Sequence, residues 1–216
     1  MKKSFKTVNQ QATFELVEKK SRFIAYVSPI TTEQEAIDFI NKIKKQHYDA
    51  RHNCFAYVIE SDIPILRFSD DGEPSGTAGK PILDVLVGEE LKNVVVVVTR
   101  YFGGTLLGTG GLVRAYGKAC KEGVLCAKIV SMENYTIISI TVDYSLVGKI
   151  QYEVSANGHI LLDTQYTDLV TFNIYVKSNC ADDFIKNIIN LTNNNVKITK
   201  GDEVFLKTIN GEVILD

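Results

Sequence analysis

The strongest pattern along the chain is an uninterrupted apolar run of five valines, from Val94 to Val98. Valine is β-branched and favours a strand, and a run without polar alternation leaves neither face of that strand in water. The apolar period becomes helical from Leu112 to about Ala127. The residues on its apolar face are Leu112, Tyr116, Ala119, Cys120 and Val124. We therefore predict a strand buried on both faces, followed by an amphipathic helix.

Shorter apolar runs separated by turn residues predict six more elements before the valine strand. Four are strands, over residues 14–18, 23–27, 54–59 and 63–68. A helix should begin after Thr31 or Thr32, because Glu35 can complete a capping box there. The predicted buried face of this helix consists of Ala36, Ile37, Ile40 and Ile43. A short second helix over residues 77–87 should carry Pro81 in its first turns.

Downstream, residues 128–134 are polar and have no strong period, which predicts a linker. The pattern then restarts as strand, helix, two strands, helix and strand. These elements are predicted over residues 135–142, 145–156, 159–166, 169–177, 182–191 and 196–206. The order βαββαβ is that of the ferredoxin-like fold. We predict an α+β protein of two domains, residues 1–132 and 133–216.

A glycine-rich loop joins the valine strand to the helix that follows it. Its glycines are Gly103, Gly104, Gly108, Gly110 and Gly111. Glycine permits positive φ and close approach of a ligand to the backbone, and the first N–H groups of a helix attract anions. The flanking cations are Arg100, Arg114 and Lys118. We predict that this loop binds a phosphate. The alternative is that the glycines only make a tight strand-to-helix turn.

Two standard nucleotide-binding motifs do not fit the chain. A dinucleotide fingerprint that starts at Gly108 would require glycine or alanine at position 113, which is Val113. The phosphate loop of NTPases requires Ser or Thr after Gly-Lys, whereas Lys80 is followed by Pro81. No cofactor and no catalytic residue is therefore predicted.

Three other side chains are candidates for ligand contact. Tyr101 and Phe102 could stack on a base, but neighbours on a strand point opposite ways, so at least one should lie in the core. His52 heads a predicted strand and could reach a ligand, although a hydrogen-bonded structural histidine is the favoured interpretation.

A second irregular segment precedes the short helix, and its composition excludes a helix interior or a central strand. Its distinctive residues are Asp70, Asp71, Gly72, Glu73, Pro74, Gly76, Thr77 and Gly79. The three carboxylates could hold Mg²⁺ or Ca²⁺ through their oxygens. Solvated carboxylates in a turn are the favoured interpretation, so no metal is predicted. We expect this segment and the glycine-rich loop to meet in space.

These two segments resemble a known family. Gly79-Lys80-Pro81-Ile82-Leu83, the valine strand and Arg100-Tyr101-Phe102-Gly103-Gly104-Thr105-Leu106-Leu107-Gly108 are similar to the hallmark of the IMPACT family. The run from Asp70 to Gly79 resembles its second hallmark. The resemblance implies a first domain like domain two of ribosomal protein S-five, with a left-handed βαβ unit. It also implies a second domain similar to the last domain of elongation factor G.

Composition and charge exclude several classes of protein. Hydrophobic residues make up 45% and charged residues 23%, as in ordinary globular domains. No apolar run is long enough to cross a membrane and none follows the first lysines as a signal peptide would, so we expect a cytoplasmic protein. The four cysteines should be reduced core thiols. The net charge is −2, so nucleic-acid binding would require a local basic patch.

Three functions are compatible with these patterns. The first is a non-catalytic binding protein that regulates translation through RNA, the ribosome or a translation-linked protein. The resemblance favours it, because eukaryotic IMPACT proteins regulate translation initiation through a stress-kinase pathway. The second is an enzyme acting on a small phosphate-containing metabolite. The third is a regulator that binds other proteins through its acidic second domain.

Overall fold

The computed structural model describes residues 4–61, 63–209 and 211–214. These residues form two compact units. The N-terminal unit runs from Phe5 to Ser131, and the C-terminal unit begins at Met132. Both units contain helices and strands, which confirms the predicted two-domain α+β class.

In the N-terminal unit, five strands form one antiparallel sheet with helices on both faces. Its elements are β1 (Phe5–Val8), β2 (Ala12–Glu18), β3 (Ser21–Pro29), α1 (Glu33–Gln46), β4 (His52–Ile59), β5 (Ile65–Ser69), α2 (Gly79–Gly88), β6 (Val94–Tyr101) and α3 (Thr109–Cys126). The sheet order is β2-β3-β6-β4-β5. Strands β3 and β4 both lie antiparallel to β6 and are therefore parallel to each other, which confirms a βαβ unit through α1.

Strand β6 is the centre of this unit, and all five valines from Val94 to Val98 are fully buried. Val94, Val96 and Val98 pack into the core under α2 and α3. Val95 and Val97 pack on the opposite face, in the core under α1. The prediction of a strand buried on both faces is confirmed, since only a three-layer arrangement excludes water from both sides.

Local chemistry positions helix α1. The Thr32 hydroxyl accepts the N–H of Glu35 at 3.2 Å, and the Glu35 carboxylate accepts the N–H of Thr31 at 2.6 Å. Thr32 is the N-cap as predicted, and Glu35 reaches back to the residue before it rather than to the N-cap itself. Ile37, which the periodicity places on the buried face, is 40% exposed. Helix α1 packs on the sheet along a narrow stripe, so a residue at the edge of its apolar face stays in water.

The C-terminal unit contains one sheet and two main helices. Its elements are β7 (Ile129–Val142), a 3₁₀ turn (Tyr144–Leu146), α4 (Val147–Ala156), β8 (Ile160–Tyr166), β9 (Val170–Lys177), α5 (Ala181–Leu191), β10 (Lys197–Ile209) and β11 (Glu212–Ile214). The sheet order is β11-β10-β7-β9-β8. The predicted order βαββαβ is confirmed. Helices α4 and α5 share an apolar core with β7 and β9.

Two local predictions are wrong. Residues 128–134 are not a linker, because strand β7 begins at Ile129 and continues without interruption. A strand that is partly buried on both faces shows no clear alternation of apolar and polar residues, so the sequence pattern did not reveal it. Two of the four predicted core thiols, Cys126 and Cys180, are exposed, whereas Cys54 and Cys120 are buried. Within the described residues, no helix is long and apolar enough to cross a membrane.

Candidate functional site

The acidic segment between β5 and α2 is held by hydrogen bonds to the backbone. The Asp70 carboxylate accepts the N–H groups of Gly76 at 2.8 Å, Ala78 at 2.9 Å and Gly79 at 2.8 Å. Ala78 and Gly79 lie at the N-terminus of α2, where the helix leaves N–H groups without internal partners. Asp70 therefore caps α2, and it closes the loop that carries Pro74.

Asp71 and His52 form a second set of internal contacts. The Asp71 carboxylate accepts the N–H of Asn53 and the ammonium group of Lys44, both at 2.7 Å. The Asp71 carbonyl lies 2.9 Å from Nδ1 of His52, which gives His52 a structural hydrogen bond. The Asp70 and Asp71 carboxylates therefore accept hydrogen bonds from the protein, contrary to the expectation that they are solvated. Within the described residues, no cluster of three or more His, Cys, Asp or Glu side chains could hold a metal ion.

Glu73 forms a buried ion pair with Arg100. Arg100 Nη1 lies 2.6 Å from Glu73 Oε1, which also accepts the hydroxyl of Tyr116 at 2.9 Å. The two charged side chains are only 7% and 4% exposed. The Arg100 guanidinium also lies near the rings of Phe23 and Phe102, at 5.4 and 5.6 Å from their centroids. The sequence predicts that Arg100 flanks the phosphate site. In the structure its charge is already neutralised inside the protein by Glu73, so Arg100 does not line an open anion site.

The same ion pair joins the acidic segment to the two elements that flank the glycine-rich loop. Glu73 belongs to the acidic segment, whereas Arg100 ends β6 and Tyr116 lies on α3. Thr77 also closes the acidic segment, since its hydroxyl donates to the carbonyl of Pro74 at 2.6 Å. Two long stretches of sequence are thus joined around one buried carboxylate.

Two motif glycines are required by close backbone contacts. A Cβ atom at Gly103 would lie 2.0 Å from the carbonyl carbon of Lys20, in the turn between β2 and β3. A Cβ atom at Gly79 would lie 2.6 Å from the Ser69 backbone. Gly104 and Gly108 instead have positive φ, at 82° and 71°. The tight-turn interpretation thus accounts for several glycines, while Gly111 lines an open surface.

That open surface is a cleft between the β2–β3 turn and α3, with a volume of about 230 Å³. We call it the basic cleft. It is lined by Leu16, Glu18, Lys19, Leu107, Gly111, Arg114, Ala115 and Lys118. In the part of the chain that the structure describes, none of its three cations lies within 4.0 Å of a carboxylate, which leaves them able to bind an anion.

Helix α3 lines the basic cleft along one side of its N-terminal half, which carries two cations. Its N-cap residue is Gly108, which has no side chain to satisfy the first N–H groups. Arg114 folds back toward this end, since a Cβ atom at Gly110 would lie 3.9 Å from its Nη1. Lys118 follows one turn later on the same face. The two side chains therefore add positive charge along the side of the cleft that α3 forms.

The third cation, Lys19, was not among the predicted site residues. It lies in the β2–β3 turn with φ of 45°. The charged run Lys19-Lys20-Ser21-Arg22 indicated a turn, but nothing in it indicated which side chain would face α3. The packing of Gly103 against Lys20 is what brings this turn beside the helix.

The adjacent aromatic residues Tyr101 and Phe102 have different environments. The Tyr101 hydroxyl donates to Asp49 at 2.8 Å and lies 2.9 Å from Nδ1 of His47, while the Arg22 guanidinium lies 5.6 Å from its ring centroid. Because its hydroxyl is already donating, Tyr101 accepts the Nδ1–H of His47. Phe102, by contrast, is 46% exposed. Only Phe102 is open to a ligand.

The buried thiol of Cys54 belongs to the same cluster. Its Sγ lies 3.0 Å from the carbonyl of Asp70 and 3.4 Å from the hydroxyl of Tyr116. Burial raises the pKa of Cys54 to about 12 from its usual value of 9.0. Cys54 is therefore a protonated donor and not a nucleophile near neutral pH.

We expect Cys54 to make the fold sensitive to alkali. Its pKa is higher in the folded than in the unfolded chain, so its contribution to stability is complete below pH 9 and is lost as the pH rises toward 12. Between pH 8 and 10.5 this thiol should lower the free energy of unfolding by about 2 kcal/mol. The free energy of unfolding, measured with urea at both pH values, should fall by this amount in the parent and in Cys126→Ala. Cys54→Ala should be less sensitive, and an equal pH dependence in all three proteins would contradict the assignment.

Comparison with known proteins identifies the family. The Impact N-terminal domain matches residues 19–124, a range that includes Lys19, Arg114 and Lys118, and a domain of unknown function (DUF1949) matches residues 140–195. The IMPACT family member YvyE of Bacillus subtilis is 44% identical over 204 residues, which is 94% of each chain. The chain belongs to the IMPACT family.

Two further similarities cover part of the chain and nearly all of it, respectively. YigZ of Escherichia coli is 47% identical over 108 residues, covering 49% of this chain and 53% of YigZ. A crystal structure of a hypothetical protein is similar with a TM-score of 0.59 and 29% identity, covering 94% of this chain and 99% of that one. The two-domain architecture is therefore shared along nearly the whole length.

Proposed function

We propose that this IMPACT protein is a non-catalytic RNA-binding protein that acts in the regulation of translation in the cytoplasm, with the basic cleft as its contact to the phosphate backbone. The observation that supports this most directly is the convergence of Lys19, Arg114 and Lys118 on one cleft. A role in translation is consistent with the family, whose eukaryotic members the sequence resemblance links to translation initiation.

The geometry of the cleft suits a phosphate. Lys19 approaches from the sheet side and the other two cations from α3, so an anion between them is contacted from two directions. Glu18 is the one carboxylate in the lining, which leaves an excess of positive charge. Side chains of this kind neutralise phosphates and release bound counterions, which favours polyanions in particular.

An enzyme acting on a small phosphate-containing metabolite is the second candidate, favoured by the small volume of the basic cleft. The side chains best suited to catalysis have structural partners instead. Asp70, Asp71 and Glu73 accept hydrogen bonds from the protein, and burial keeps Cys54 protonated. We therefore favour binding over catalysis.

Salt titration tests RNA binding by the cleft. Replacing Arg114 and Lys118 together by Ala should weaken binding of an unstructured RNA and reduce the slope of log K against log salt by roughly 1.4, about 0.7 per phosphate contact. Fluorescence anisotropy at several salt concentrations gives both quantities. A matched control is Lys45→Ala with Lys149→Ala, which removes the same charge from exposed positions outside the cleft.

The outcomes separate the candidates. Equal losses in the cleft variant and the charge control would contradict a specific site. RNA binding that is absent from the parent at low salt would overturn the proposed function. Tight binding of a small phosphate compound that is insensitive to salt, with none of RNA, would favour the metabolite enzyme. Copurification with ribosomes unaffected by the cleft variant would favour a protein contact elsewhere.

A further inference from the structure

We infer that the site takes single-stranded RNA, with a base stacked on Phe102 and neighbouring phosphates of the same strand in the basic cleft. This inference rests on the proposed function and adds the class of RNA and a second contact. It arises from a pairing of features: an exposed aromatic ring lies in the same loop that forms one wall of the cleft.

Phe102 is exposed to solvent and also contacts Arg100. Its ring is 46% exposed, and the Arg100 guanidinium lies 5.6 Å from its centroid. Arg100 is itself paired with Glu73 and lies 5.4 Å from the ring centroid of Phe23. Phe102 therefore lies against a buried cation that is paired with Glu73, and nearly half of its surface is accessible to solvent. A ring positioned in this way can accept a stacked base without first losing conformational freedom.

The distance from Phe102 to the basic cleft is short. Gly103 packs directly on Lys20, whose carbonyl carbon would lie 2.0 Å from a Cβ atom there. Phe102 precedes Gly103, and Lys19 precedes Lys20. Since consecutive Cα atoms are about 3.8 Å apart, the Cα atoms of Phe102 and Lys19 lie at most about 13 Å from each other. Neighbouring nucleotides of one extended strand span such a distance.

Stacking on Phe102 selects for single strands. In a duplex the bases are stacked on one another and their faces are hidden, whereas unpaired bases can turn outward onto an aromatic side chain. Every base has a π-face, so this contact is tolerant of sequence. Tyr101 cannot supply the contact because Asp49, His47 and Arg22 already occupy its hydroxyl and ring. The site therefore combines charge with one aromatic platform.

Truncation of Phe102 separates stacking from charge. Phe102→Ala should weaken binding of a short oligouridine by about tenfold. The salt dependence should stay the same, since no phosphate contact is lost. Binding of inorganic polyphosphate and of duplex RNA should also stay the same. Phe68→Ala is a matched control, because Phe68 is equally exposed at 46% but lies on β5. Phe102→Leu keeps an apolar side chain on Arg100 and should show the same loss as Phe102→Ala.

A fluorescent variant reports the contact directly. The chain contains no tryptophan, so Phe102→Trp introduces a single reporter. It should retain oligouridine affinity, and its emission should be quenched by RNA but not by polyphosphate. Parent-like RNA binding by Phe102→Ala would overturn the stacking inference and leave the cleft proposal intact. Equal losses of RNA and polyphosphate would show a disturbed cleft and also overturn it. A parent that binds polyphosphate but no RNA would overturn the proposed function itself.

Discussion

Replacing Glu73 by Ala is expected to lower the free energy of unfolding by about 3–5 kcal/mol. The reason is that Arg100 stays charged and buried after its carboxylate partner is removed. Tyr116 also loses the acceptor of its hydroxyl at 2.9 Å. Because Glu73 joins the acidic segment to β6 and α3, the loss should affect the N-terminal unit as a whole. Urea denaturation followed by circular dichroism measures it.

Two comparisons make the Glu73 result specific. Asp84→Asn breaks the exposed pair that Asp84 makes with Lys80, and it should cost about 0–1 kcal/mol because water already screens that pair. Replacing Glu73 by Leu and Arg100 by Met together should cost less than Glu73→Ala, since no buried charge remains unpaired. A cost for Glu73→Ala no larger than that for Asp84→Asn would show that the buried pair is dispensable.

Replacing Gly103 by Ala is expected to destabilise the protein by about 3 kcal/mol, at the upper end of the usual cost of overpacking. The added methyl group would lie 2.0 Å from the Lys20 carbonyl carbon, and backbone cannot rotate away as a flexible side chain can. The β2–β3 turn must therefore move, which displaces Lys19 from the basic cleft. The midpoint temperature of thermal unfolding and the affinity for polyphosphate should both decrease.

Gly117→Ala provides the control for Gly103. Gly117 lies inside α3, and a methyl group added there would meet no atom within 4 Å outside the backbone of its own helix. Alanine should therefore stabilise the helix by about 0.5–1 kcal/mol. If the two substitutions changed stability in the same direction, the close contact at Gly103 would not be the cause.

The proposed site also depends on which aromatic residue faces solvent. The sequence places Tyr101 and Phe102 side by side at the end of β6 and predicts that at least one points inward. The structure shows that Tyr101 is engaged with His47 and Asp49, whose positions depend on α1 and the loop after it. The sequence alone therefore could not decide which of Tyr101 and Phe102 is available for stacking, because that depends on how α1 packs on the sheet.

Local patterns in the sequence were sufficient for features that depend on near neighbours. The run Val94 to Val98 predicts a doubly buried strand because burial on both faces requires uninterrupted apolar residues. Thr32 and Glu35 predict the start of α1 because a capping box closes within four residues. The two long motifs predict the family, since matches of that length rarely arise by chance.

Tertiary structure alone decided which charges are available. Arg100 and Glu73 are 27 residues apart, and no local pattern indicates that they neutralise each other in the interior. Lys19 reaches the basic cleft only because a hairpin turn packs on Gly103, far along the chain. Charge pairing and backbone contact act through space, whereas periodicity reports only the order of residues along one element. For this reason the anion site predicted from the sequence includes Arg100, whose charge is paired in the interior, and omits Lys19, which lines the basic cleft.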